Sequence, residues 1–261
     1  MRVANWDLPN RHVGRRVEVY DSLDSTNSLA LERSREAASA GLALLAHEQR
    51  AGRGQFGRTW QAPPGSSVLL SVVLFPPDPV RRPALLTAWA AVSVCELIAR
   101  LTDVQPRIKW PNDVLLQGKK VCGILIEQRA AGAVAETRAT VAGIGLNVRQ
   151  DADFFDRAQL PLAGSLLSVT GRSFDSEEVT RRLLAELDLH FDPLVRGDTA
   201  SLEAMWCDRL GLLGRDVVVE LAGSQVEGKL REIAFAGLVL ETVGGDVLHL
   251  QPEAVKHVKP C

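Results

Sequence analysis

The sequence predicts an α+β fold, with a large layer of strands and helices followed by a small all-β unit. Three observations carry that prediction. Short apolar runs bounded by turn residues recur up to about residue 150 and read as strands. The stretch from Ala84 to about Leu101 changes to a helical pattern, with Leu85, Trp89, Val92 and Leu97 near one face and no interior Gly or Pro. After Gly214 the texture shifts to short strands joined by Gly-containing turns, which reads as a β-barrel of about 45 residues. The domain cut falls near 211–214, separating 1–212 from 213–261.

Residues 16–20 alternate polar and apolar, as a half-buried strand does. Ser25-Thr26-Asn27 then offers helix-start groups ahead of Leu29, Ala30 and Leu31. Residues 42–47 are a short apolar run leading into a glycine-rich loop, and Pro63-Pro64-Gly65 turns the chain into a Val- and Leu-rich strand, Ser67–Phe75. Beyond the helix at 84–101 come strands at Arg107–Trp110, Val114–Leu116 and Val121–Glu127. Turns at Pro111-Asn112-Asp113 and Gln117-Gly118-Lys119-Lys120 separate them. A strand over 137–148 carries Gly143 and Gly145, and glycine inside a strand commonly marks close approach by a ligand or another backbone. Asp175 and Glu178 form a plausible capping box for a helix to about His190, and a second helix covers Ser201–Leu210. Strands at about 215–221, 225–233, 237–242 and 246–250 complete the chain.

The chain has 261 residues, 46% hydrophobic and 24% charged, with a formal net charge of −2. That balance argues against a protein built for a polyanion surface. Basic residues nevertheless cluster at Arg50, Arg53 and Arg58 and at Lys109, Lys119 and Lys120, which suits a small phosphorylated ligand. Four dispersed cysteines without a C-x-x-C pair read as free thiols in a reducing cytoplasm. The five histidines lack ligand spacing. No signal peptide opens the chain, and its apolar runs read as too interrupted to span a membrane.

Gly52-Arg53-Gly54-Gln55-Phe56-Gly57 fits the dinucleotide fingerprint G-x-G-x-x-G, and its extension through Arg58-Thr59 nearly fits a phosphate loop. Both motifs place phosphate at the N-terminus of a following helix. Here Pro63 and Pro64 follow too soon for a helix of useful length, so neither motif has its essential element. What remains is a glycine turn whose N–H groups and arginine forks suit a phosphate or carboxylate.

A second constellation, Ile108-Lys109-Trp110-Pro111-Asn112-Asp113, places a cation, an amide and a carboxylate at the end of a strand. Gly118-Lys119-Lys120-Val121-Cys122-Gly123-Ile124-Leu125 puts more cations ahead of the next. Taken in order, Ser25-Thr26-Asn27, GRGQFGRTW, KWPND, KKVCGIL and GIGLN resemble the biotin protein ligases. The motifs cover roughly residues 20–150, and the C-terminal β unit fits the family's usual appendage.

The resemblance implies a class II synthetase-like fold, with a mixed or antiparallel sheet flanked by helices and an SH3-like barrel after it. It implies that biotin's carboxylate attacks the α-phosphate of ATP to give biotinoyl-5′-AMP, and that a lysine of a biotin carboxyl carrier protein then takes the biotin. Ser25, Thr26, Asn27 and Gln49 would hold biotin's polar end, and Gly52, Arg53, Gly123 and Gly143 would line its slot. Lys120 would bridge carboxylate and α-phosphate. Arg53, Gln55 and Arg58 would flank the phosphate, with Lys109 on the departing pyrophosphate. Trp60 would stack on adenine and Asn147 would read it. Asn112 would assist the phosphate region, and Asp113 would serve Mg²⁺. The acceptor would be the apo domain of acetyl-CoA carboxylase or a related biotin enzyme, and the ligase a cytoplasmic monomer or weak homodimer.

Gln55 stands where the family usually has a second arginine, which predicts a leakier adenylate. Only Met1–Arg15 precede the first ligase-like strand, too few for the helix-turn-helix of the repressor relatives, so no DNA binding is expected. A lipoate–protein ligase is the nearest rival. A nucleic-acid-binding reading suffers from mixed charge and a lone aromatic, Phe235, in 215–261.

Overall fold

A computed structural model describes residues 1–130 and 138–261. The N-terminal layer runs β1 (Arg2–Asp7), β2 (Arg16–Leu23), α1 (Thr26–Arg33), β3 (Leu42–Gln49), β4 (Ser67–Leu74), α2 (Pro83–Thr102), β5 (Arg107–Lys109), β6 (Asp113–Leu116), β7 (Lys119–Ala130) and β8 (Arg138–Asn147). Four helices follow: α3 (Ala152–Arg157), α4 (Leu166–Thr170), α5 (Ser176–Val195) and α6 (Ala200–Leu210). The chain ends with β9 (Asp216–Glu220), β10 (Gln225–Ala234), β11 (Gly237–Thr242), β12 (Val247–Leu250) and β13 (His257–Pro260).

The first sheet has the order β1-β2-β3-β4-β8-β7-β6-β5. β2 and β3 run parallel, joined by α1, and the remaining neighbours are antiparallel, so the sheet is mixed. The C-terminal sheet is antiparallel, in the order β12-β11-β10-β9-β13. β4 is buried at every position because helices cover one face and the cleft residues the other, which explains why its sequence, SVLLSVVL, is apolar but for Ser67 and Ser71.

Two expectations need correction. α2 is long and apolar enough to cross a membrane by length and composition, but 78% of its apolar window is buried in this fold. It is a core helix: Trp89 is fully buried and donates its indole N–H to the Leu187 carbonyl of α5 at 3.0 Å. The helix opened by Asp175 does not end at His190 but runs on to Val195, with Pro193 in its last turn. Asp175 accepts from the Glu178 N–H at 2.9 Å, while the Glu178 carboxylate turns to Arg182. β1, β13, α3 and α4 carried too little periodic signal to be read. The strand expected over 137–148 is described from residue 138, and residue 137 lies outside the described residues.

The two sheets share one continuous apolar cluster, which includes Leu70, Trp110, Trp206, Val217, Leu230 and Val258. Their junction is aromatic. Trp206 of α6 packs between Trp110 of the β5–β6 turn, at 5.5 Å, and Phe235 of the β10–β11 turn, at 5.1 Å. Polar bonds fix its edges: Glu203 accepts from the Phe235 N–H at 2.7 Å, Arg82 donates to the Phe235 carbonyl, and Trp110 Nε1 donates to the Val255 carbonyl at 3.2 Å. The C-terminal sheet is therefore held directly against the turn that carries Asn112 and Asp113.

Candidate active site

A cleft opens where α1, the ends of β3 and β4, the glycine loop and the strands β6–β8 meet. Its lining includes Ser25, Thr26, Asn27, Gln49, Arg53, Gln55, Arg58, Trp60, Asn112, Asp113, Lys120, Gly123 and Gly143. Thirteen of the residues singled out above, separated by more than 100 positions, are thus brought to one cavity.

The end formed by α1 is a closed hydrogen-bond network. Ser25 caps the helix, accepting from the Ser28 N–H, and leaves Thr26 and Asn27 buried in the first turn. Gln49 Oε1 accepts from the Thr26 N–H at 2.7 Å and lies 3.0 Å from the Thr26 hydroxyl. Ser71 of β4 sits 2.7 Å from that hydroxyl and donates to Asn27 Oδ1 at 2.5 Å. Asn27 Nδ2 donates to Glu127 at 2.8 Å, and the same Glu127 oxygen accepts from Arg53 at 2.7 Å. Ser71 and Glu127 were not read from the sequence. Ser71 lies within a Val- and Leu-rich run and Glu127 at the end of an apolar strand, and neither residue belongs to a motif.

The glycine loop is a tight hairpin. Gly52 and Trp60 pair through the Trp60 N–H at 3.0 Å, Gly54 donates to the Arg58 carbonyl at 2.7 Å, and Phe56 stands at the tip with φ of 56°, 72% exposed. No helix follows it, as the prolines predict. Its anion-binding equipment is the pair of arginines facing the cleft.

The strand glycines serve the protein's own side chains. Gly123 and Gly145 lie opposite each other in the β7–β8 ladder and form a flat floor under the Trp60 indole. A Cβ would come within 2.9 Å of the ring at Gly123 and 2.6 Å at Gly145. Gly143 makes room for the Asn27 carboxamide, where a Cβ would sit 2.1 Å from Oδ1. Trp60 Nε1 is buried there without a hydrogen-bond partner.

Lys120 and Arg53 are not bare cations. Lys120 Nζ pairs with Asp113 at 2.6 Å and lies 5.8 Å from the Trp60 ring, while Arg53 pairs with Glu127. The carboxylates hold the cations in place, and phosphate oxygens would compete for the same donors. Cys122, beside Lys120, is wholly buried, and burial pushes its thiol well up, so it stays protonated and is no nucleophile.

Three expected residues do not line the cavity. Gly52 is buried against the Trp60 backbone, and Lys109 is exposed on β5. Asn147 is 5% exposed and fully engaged: its Nδ2 donates to the Gly164 carbonyl at 2.9 Å, and its Oδ1 accepts from Gln150 at 3.0 Å and from Ser67 at 3.3 Å. For Mg²⁺, Asp113 is the one lining carboxylate, and no cluster of three His, Cys, Asp or Glu occurs among the described residues. That donor set fits an ion arriving on the phosphates of a nucleotide, since Mg²⁺ is commonly held by one or two carboxylates plus substrate oxygens.

Comparison with known proteins agrees with this geometry. The biotin/lipoate A/B protein ligase family profile matches residues 19–147. The biotin–[acetyl-CoA-carboxylase] ligase of Mycobacterium tuberculosis is 35% identical over 251 residues, covering 94% of this chain and 90% of that protein. The bifunctional ligase/repressor BirA of Bacillus subtilis is 31% identical over 241 residues, covering 92% of this chain and 74% of that protein. A structure of the biotin protein ligase from Aquifex aeolicus in complex with biotin and ATP superimposes with a TM-score of 0.73 at 26% identity, covering 94% of this chain and 99% of that one. A mixed sheet with an antiparallel C-terminal sheet, a cationic cleft and this degree of likeness over nearly the whole length lead to one conclusion: the chain belongs to the biotin protein ligases, within the biotin/lipoate A/B protein ligase family.

Proposed function

We propose that the cleft performs the two half-reactions of biotin–protein ligation with the residues it gathers. Biotin's carboxylate oxygen attacks the α-phosphorus of ATP, the bond to the β-phosphate oxygen breaks, and pyrophosphate leaves with biotinoyl-5′-AMP in place. A lysine amine of the carrier protein then attacks the acyl carbon and releases AMP. The observation that carries this assignment is the convergence of Arg53, Arg58 and Lys120 on one cavity that is also lined by the buried Ser25, Thr26 and Asn27 and the half-buried Gln49. A carboxylate meeting a triphosphate needs preorganised positive charge, and hydrogen-bonded polar anchors in an apolar slot suit a ureido group on a hydrocarbon chain.

In this reading Lys120 shifts from Asp113 to the α-phosphate and the carboxylate, and Arg53 and Arg58 clamp the phosphate. Trp60 presents its indole to adenine. Asn112 and Asp113 face the phosphate end, where Asp113 would hold a nucleotide-borne Mg²⁺ that would neutralise phosphate charge. Asn147 supports the floor from behind, through Ser67 and Gln150, and Lys109 meets the departing pyrophosphate only if its side chain swings inward from β5. The division into a catalytic domain, 1–212, and a small SH3-like domain, 213–261, belongs to the same proposal, as does a carrier-protein acceptor of the acetyl-CoA carboxylase type.

The decisive experiment incubates the protein with biotin, ATP, Mg²⁺ and an apo carrier domain and reads intact mass. One biotinoyl increment on a single lysine is expected, and no increment overturns the reading. Lipoate competing with labelled biotin at equal concentration would shift it to the lipoate branch. At Gln55, which lines the cleft, Gln55→Arg is expected to slow dissociation of biotinoyl-AMP several-fold by adding a charge-assisted contact. Equal dissociation rates would refute that role. The residues ahead of β2 form the edge strand β1.

A further inference from the structure

Glu127 of β7 stands outside the lining of the cleft, yet two of the lining residues hang on it. Its Oε2 accepts from Asn27 Nδ2 at 2.8 Å and from Arg53 Nη2 at 2.7 Å. One carboxylate oxygen therefore joins the first turn of α1 to the glycine loop. An ionised carboxylate accepts hydrogen bonds and donates none, so it can hold both donors at once.

The two donors differ in how firmly they are otherwise held. Asn27 is 4% exposed, its Oδ1 accepts from Ser71, and its carboxamide fills the notch left by Gly143. It is a fixed post. The loop is held far less. Its residues bond to one another through the backbone, Gly54 to the Arg58 carbonyl and Arg58 to the Gln55 carbonyl. Among the described residues, the Arg53–Glu127 pair is the one hydrogen bond or ion pair that ties residues 53–59 to the rest of the fold. Segments with few contacts open locally, so this pair decides how closely the stretch that carries Gln55 and Arg58 keeps to the cleft.

The geometry of Arg53 suits such a pin. The bond to Glu127 takes Nη2 and leaves Nη1 and Nε to a ligand. On the other side, Ser71 lies 2.7 Å from the Thr26 hydroxyl, which lies 3.0 Å from Gln49. Hydrogen-bonded groups thus run without a gap from the ureido-binding end to the phosphate clamp, with Glu127 as the link between them.

We propose that Glu127 is a positioning residue of the ligase: it fastens the glycine loop to the biotin-end network through Arg53, and the loop's hold on the adenylate depends on it. This rests on the assignment of the cleft to biotin and its adenylate. A binding group carried on a loop is only as precise as the contacts that support it, which is the part a buried post and a shared carboxylate play here.

The test measures dissociation of biotinoyl-AMP formed in the cleft, after wild type has been shown to biotinylate a carrier domain. An inert wild type refutes the ligase reading itself and is distinguishable from failure of this proposal. Glu127→Ala is expected to release the adenylate about tenfold faster, the scale of one charge-assisted hydrogen bond. Single-turnover transfer of bound biotin to the carrier is expected to stay within about threefold, because the Lys120–Asp113 pair is untouched. Glu127→Gln keeps an acceptor oxygen without the charge and is expected to release the adenylate about threefold faster; it carries the test alone where the alanine variant does not fold. A double-mutant cycle separates positioning from a general loss of stability. Acting through Arg53, Glu127→Ala adds less than about twofold to the release rate of Arg53→Ala, whereas two effects that multiply overturn the proposal. Release within about twofold of wild type in both Glu127 variants overturns it as well.

Discussion

At the level of single residues, the cleft is organised by two cation–carboxylate pairs, Lys120–Asp113 and Arg53–Glu127, for whose cations phosphate is proposed to compete. Lys120 sits 2.6 Å from Asp113, close enough that its charge is aimed and held before any substrate enters. Lys120→Gln shortens the side chain by one atom and removes its charge, and both half-reactions are expected to slow about 10²- to 10³-fold, the usual cost of deleting one preorganised electrostatic contact. ATP–pyrophosphate exchange and single-turnover transfer measure the two steps separately; either rate surviving within tenfold would contradict a shared role. Gly145 offers a steric counterpart. Its Cβ in Gly145→Ala would lie 2.6 Å from the Trp60 ring, so the indole must move off its floor. The KM for ATP is expected to rise about tenfold with little change for biotin, because overpacking here displaces the nucleotide's neighbour and leaves α1 untouched. The role of these glycines was half legible in the sequence. Gly143 and Gly145 signal close approach, but the approaching groups, Asn27 and Trp60, are more than 80 residues away, and no local pattern names them.

Among the secondary-structure elements, the strong periodic ones were readable and the short ones were not. α5 carries buried residues at a helical spacing, α2 is a mostly apolar 20-residue stretch without interior Gly or Pro, and β3 and β4 are rich in Leu, Val and Ala. β1 and β13, of six and four residues, are edge strands with no buried position and one buried position respectively, and offer little burial to be encoded. The segment between β1 and β2 is ordered instead by distant groups of α5: Asn10 donates to the Leu184 carbonyl, Arg11 and His12 reach Asp192, and Asp188 holds the backbone. Asp188 of α5 accepts from the backbone N–H groups of Arg11, His12 and Val13 at 2.8, 2.6 and 2.8 Å. Asp188→Ala leaves three donors without their charged acceptor and is expected to cost about 2–4 kcal/mol, read as a shift of the urea midpoint without a change of slope. A shift below about 0.5 kcal/mol would mean that water replaces the carboxylate there.

For the whole molecule, the C-terminal sheet and the ligase layer act as one body because they share a core. Trp206, 4% exposed, is the wedge between Trp110 and Phe235, and Trp206→Ala is expected to destabilise the protein by about 3–5 kcal/mol. It should also expose residues 211–215 to limited proteolysis and raise the KM for ATP, since the Asn112–Asp113 turn loses its support. Unchanged cleavage and melting would show that the junction is held by other contacts. The sequence by itself determined the family resemblance, and with it the expected chemistry, because motifs such as GRGQFGRTW and KWPND are contiguous stretches whose residues and order are legible without the fold. The tertiary structure alone decided which carboxylates steady Arg53 and Lys120, and which side chains the strand glycines admit. The first of these joins residues 74 apart. Such contacts are set by how sheets and helices pack, and packing depends on the whole pattern of burial rather than on any stretch that a reader of the sequence can isolate.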